Sequence, residues 1–105
     1  MIEHNDLYDL LNTLEIPVAY DHFDSDKEVS IPFIVYREVS PETFRADGIT
    51  YHQFFNFTIE LVTEKKEIAL ERQIEGLLTN NKIPYSKNDE VWDNDEKIYH
   101  NFYEI

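Results

Sequence analysis

The sequence predicts an α+β domain, a mainly antiparallel β-sheet with two α-helices packed on one face, in the order α-β-β-β-α-β-β. Three observations carry this. From Tyr51 to Val62 the odd positions (Tyr51, Gln53, Phe55, Phe57, Ile59, Leu61) are apolar but for one, while the even positions include His52, Asn56, Thr58 and Glu60. Period-two alternation in an aromatic and β-branched run marks a half-buried strand, because successive side chains leave opposite faces. Two other stretches repeat leucine and isoleucine at helical spacing, and the strand-like segments follow one another through short connections that favour antiparallel neighbours.

Taken in order, Asn5 is placed to cap a first helix in which Leu7, Leu10, Leu11 and Leu14 recur at i, i+3, i+4 and i+7, with Pro17 as its stop. A strand follows from Val18 to about Phe23. After the polar turn at Asp24–Glu28, a second strand spans Ile31–Val39, and its apolar centre, Phe33–Tyr36, suits an internal position or a subunit contact. Ser40–Thr50 is the longest irregular connection, and such loops often carry function. Phe44 and Arg45 precede Asp47 and Gly48 there, and Gly48 suits a positive-φ turn before the long central strand.

The second helix is expected over Glu64–Leu78. Thr63 would be its N-cap, with an apolar stripe at Leu70, Ile74, Leu77 and Leu78 and a stop at Asn80–Asn81. Its Glu67, Glu71 and Glu75 fall at i, i+4 and i+8, which reads as a solvated acidic face. Gly76 marks either a close approach to the sheet or a tolerated helical glycine. Ile83–Tyr85 opens another strand, and Glu90–Trp92 with Ile98–Ile105 reads as a terminal hairpin across the turn Asp93–Glu96.

With 105 residues the chain is expected to be a single domain, 1–105. It contains no cysteine, which excludes disulfides, thiolate metal sites and a cysteine nucleophile. No run approaches the length of a membrane span, so a soluble cytosolic protein is expected. Nine basic and 22 acidic residues give a net charge of −13. Residues 63–82 are balanced, and the excess lies toward the two ends, a distribution that repels nucleic acid and anionic membrane.

Catalytic and cofactor motifs are not legible. Two glycines exclude dinucleotide and P-loop fingerprints, the four histidines form no helical metal pair, and the acidic clusters at 24–28 and 93–96 lack the EF-hand pattern. The expectation is therefore no enzyme, no catalytic residue, no metal and no cofactor. The residues singled out as interface anchors are Phe44, Arg45, Asp47, Gly48 and, on the terminal hairpin, Trp92.

The series Leu14–Tyr20 (LEIPVAY), Ile31–Tyr36 (IPFIVY), Phe44–Gly48 (FRADG), Tyr51, Ile59–Lys66 (IELVTEKK) and Tyr103–Ile105 (YEI) resembles, in order along nearly the whole chain, small proteins of the head-to-tail module of siphophages and Gram-positive prophages. These are the tail-completion, tail-terminator or head-tail joining proteins. The resemblance implies a structural protein that forms a hexameric ring on the tail tube and ends its polymerisation. It implies as partners other copies of itself, the tail-tube protein and the head-completion or connector protein, with locations in the host cytoplasm during assembly and then in the virion. DNA would pass through the ring without being bound, and no membrane is involved. Two alternatives stand beside it: a head-completion or stopper protein of the connector, and an acidic DNA mimic acting as an inhibitor.

Overall fold

A computed structural model describes residues 2–24, 29–38, 45–46, 49–50 and 57–105. The first helix, α1 (His4–Asn12), buries Leu7 and Leu11, one turn apart, against the sheet. It starts earlier than expected: the Leu7 N–H donates to the Glu3 carbonyl at 2.9 Å, so Glu3 holds the cap position without a side-chain bond and Asn5 lies inside the first turn. It also ends well before Pro17. The hydroxyl and the N–H of Thr13 both donate to the Leu10 carbonyl, and Glu15, with φ of 61°, turns the chain away.

The first strand, β1 (Val18–Tyr20), pairs in parallel with β2 (Phe33–Glu38), Val18 opposite Ile34 and Tyr20 opposite Tyr36. This corrects the expected meander at one edge. A parallel pair needs a crossover of about a dozen residues or more, and the connection over 21–32 supplies it. The remaining pairings are antiparallel. The central strand β5 (Phe57–Thr63) lies between β2 and β8 (Ile98–Glu104); β6 (Ser86–Lys87) and β7 (Val91–Asp93) share the far side of β8. The order is β1-β2-β5-β8-β6. The Ser40–Thr50 segment contributes a separate ribbon, in which β3 (Arg45–Ala46) pairs antiparallel with β4 (Ile49–Thr50), Ala46 opposite Ile49. The segment expected to be irregular thus holds a paired ribbon at 45–46 and 49–50, while its residues 40–44 and 47–48 lie outside the described residues. The expected strand residues at 51–56 lie outside the described residues.

The second helix, α2 (Ile68–Asn80), begins later than the spacing suggested. Thr63 is no cap: it is the last residue of β5, paired with Tyr99 and buried, and the chain uses 64–67 to leave the sheet. Leu70, Ile74 and Leu78 are buried, whereas Leu77 is half-buried and Ile68 exposed. The expected stop holds, with the Asn81 side-chain amide donating to the Leu77 carbonyl at 2.8 Å. At Gly76 an added methyl group would meet nothing within 4 Å, so no close approach explains the glycine.

Both helices cover one face. Leu7 and Leu11 from α1 and Leu70, Ile74 and Leu78 from α2 join Ile34, Tyr36, Phe57, Ile59, Leu61, Tyr103 and Ile105 in one core. The sheet residues in that core alternate along their strands and meet across them, as in the pairs Ile34–Leu61 and Ile59–Tyr103. The register sends Phe33, Val35, Thr58, Glu60, Val62, His100 and Phe102 to the opposite face, which carries no helix among the described residues.

Candidate functional site

The two faces place their polar groups for different ends. Glu71, expected on a solvated stripe, is 2% exposed. Its Oε1 accepts hydrogen bonds from Lys66 Nζ at 3.0 Å and Lys87 Nζ at 2.8 Å, while Lys66 Nζ also lies 2.9 Å from Oε2. Lys87 reaches Glu75 at 2.9 Å, Tyr103 donates its hydroxyl to the same Glu75 oxygen at 2.8 Å, and Lys66 pairs with Glu90. Burial pushes the Glu71 carboxyl up, but the bonds from Lys87 and Lys66 more than reverse this and hold it below the ordinary 4.5. Glu75 behaves alike, with Lys87 and Tyr103 outweighing its burial. Burial, reinforced by Glu75, pushes the Tyr103 hydroxyl well up, so it stays a proton donor. This network ties α2 to β6, to β8 and to the segment after β5. It is structural, since lysine ion pairs already occupy its carboxylates.

At the other end of the same face, Tyr36 is surrounded by aromatic rings. Its centroid lies 5.3 Å from that of Tyr20, 5.3 Å from His4 and 6.2 Å from Phe57, and its hydroxyl is 3.3 Å from His4 Nε2. Tilted and edge-on ring pairs of this kind pack α1 onto the β1–β2 edge.

The helix-free face is the candidate site. The crossover after β1 folds over one end of it, where Phe23 stacks edge-on against Phe33 with centroids 5.3 Å apart. Beneath and beside that cover lies a groove of about 460 Å³ with Val35, Val62 and Ile98 in its floor. It adjoins a second trough of about 370 Å³, which shares Asp21, Val35 and Glu60 and reaches Phe102 and Glu104. The Glu60 and His100 side chains meet diagonally across β5 and β8, Glu60 lying opposite Phe102, and the His100 and Phe102 rings are only 12° from parallel. Carboxylates of Asp21, Asp24 and Glu96 stand around the first groove.

The residues singled out from the sequence are not brought together. Phe44, Asp47 and Gly48 lie outside the described residues. Arg45 begins β3, in a different sheet from Trp92. Trp92 is 44% exposed on β7 and packs on Tyr99 at 4.5 Å, and the register puts the pair on the face opposite to the groove. The sequence suits the second strand to an internal position or a subunit contact. Both β2 and β5 are internal, hydrogen-bonded on two sides, and among the described residues the outermost strands are β1 and, beyond β8, β6 and β7. The groove residues Glu60, Val62 and His100 were missed as a set. Their signal was the even register of the alternating run, legible only as the other face.

Among the described residues no group of three or more histidine, aspartate or glutamate side chains is placed to hold a metal ion, and no helix is long and apolar enough to cross a membrane. Comparison with protein-family models, with curated proteins and with solved structures gives no match for this chain.

Proposed function

We propose that this is a structural assembly protein of a phage virion, one that completes the tail and helps join it to the head as a sixfold ring. The observation that carries the reading is the division of labour in the sheet: both helices and the buried ion-pair network lie on one face, and among the described residues the other keeps an acid-rimmed groove with a partly exposed apolar floor. The order of sequence motifs from Leu14 to Ile105 supports the same reading. The net charge of −13 suits a ring through which DNA moves without sticking. Phe44 and Arg45, together with the exposed Trp92, are the proposed contacts to the tail tube.

Native mass spectrometry and electron microscopy with purified tail-tube protein test the proposal. The expected result is a hexamer, or a ring recruited to tube ends that stops elongation. A protein that stays monomeric and leaves tube length unchanged overturns it. Replacing Phe44 and Arg45 together by serine is expected to abolish capping.

A further inference from the structure

We infer that the groove on the helix-free face receives a basic, apolar-studded segment of another protein. This deepens the assembly reading and rests on it for the source of the segment, a neighbouring virion protein. The chemistry of the groove selects the occupant.

Val35 in its floor keeps part of its surface in water beside the nearly buried Val62 and Ile98, and covering that surface is favourable. The surrounding groups are acidic. Across the two adjoining troughs the described lining includes Asp21, Asp24, Glu60, Glu96 and Glu104 against Arg37 as its single lysine or arginine. His22 pairs with Asp21, and His100 with Glu60; Asp24 and Glu96 remain exposed on the rim. An apolar floor with an anionic rim is complementary to apolar side chains interleaved with lysine or arginine. A second copy of this chain is disfavoured because it brings a net charge of −13 to an acidic surface. Nucleic acid and anionic lipid are repelled for the same reason. The two troughs run together as an open surface, whereas small-ligand sites enclose most of their ligand.

The test uses isotope-labelled protein and a short synthetic peptide alternating leucine and lysine. Two control peptides replace lysine by glutamate or leucine by serine. The leucine-lysine peptide is expected to shift the Val35, Val62 and Ile98 methyl signals and to bind more weakly as salt rises. The doubly charge-reversed variant Asp24→Lys, Glu96→Lys, altered only at exposed rim positions, is expected to lose affinity by about tenfold or more while keeping the parent melting temperature. The inference is overturned if the serine-lysine peptide binds equally well, if the shifted signals lie elsewhere, or if the reversal leaves affinity unchanged. It is overturned as well if wild-type protein self-associates through the groove and Val35→Arg makes it monomeric. A protein that binds the peptide in the groove but caps no tube keeps this inference and refutes the virion role. One that caps tubes while the peptide ignores the groove keeps the role and refutes the inference.

Discussion

On the helix side of the sheet Ile59, Leu61 and Tyr103 are fully buried, while on the other side Phe33, Val35 and Phe102 keep part of their surface in water and Val62 and Ile98 are nearly buried. The strands and the alternation are shared, and the difference lies in what covers them. Two helices with apolar stripes complete one face. On the other, among the described residues, Phe23 caps Phe33 and leaves a groove beside it. Charge follows the same division. Glu71 and Glu75 are held in place by lysines, whereas Asp24 and Glu96 stand exposed at the groove rim. The covered face therefore supplies stability, and the open face has surface left for binding.

The sharpest way to break this comparison is truncation on each face. Ile59→Ala or Leu61→Ala is expected to cost about 2–5 kcal/mol in a urea melt, because each leaves a cavity in a closed core. Val35→Ala on the open face is expected to cost less than about 1 kcal/mol. Equal losses would mean that both faces are core.

Next in size is the ion-pair network. Glu71→Ala is expected to cost about 1.5–3 kcal/mol, the scale of hydrogen bonds to a charged group, and not more, because Lys66 and Lys87 are partly exposed and can return to water. Its pH dependence has a definite sign. The folded-state values of Glu71 and Glu75 lie below the ordinary 4.5, so their contribution is fully present above about 4.5 and is lost as pH falls through the folded values. In thermal melts across that range the gap between wild type and Glu71→Gln should narrow toward acid. A gap that stays constant would remove the network from the stability account.

Two smaller effects follow. Gly76→Ala is expected to stabilise by about 0.5–1 kcal/mol, since the added methyl meets no neighbour and the helix gains a better helix-forming residue. The rim reversal Asp24→Lys, Glu96→Lys is expected to stay within about 0.5 kcal/mol of the parent, as surface changes do. A large loss there would place the rim within the folded core's support.

Local pattern carried much of the fold. The alternation at Phe57, Ile59 and Leu61, the stripes Leu7–Leu11 and Leu70–Ile74–Leu78, and the terminal hairpin across Asp93–Glu96 were each legible in the sequence, because helical and strand periodicities are properties of residues close along the chain. Cap positions were less legible. Thr63 looks like an N-cap until its place in the β5–β8 ladder is known, and Asn5 until Glu3 is seen to accept the first helical bond.

Only the tertiary structure decided which strands pair and which charges meet. The parallel β1–β2 edge pairs Val18–Tyr20 with Ile34–Tyr36, and nothing in Val18–Tyr20 announces it. Glu71 carries the same side chain as Glu67 and the same helical spacing. It is buried because Lys66 and Lys87, from separate segments, converge on it and offset the cost of leaving water. The groove likewise draws Phe23, Val35, Val62, Ile98 and His100 from four stretches of chain. Periodicity fixes which way each of these side chains points, but the company it keeps depends on contacts distant in sequence, and those are set by packing the whole sheet at once.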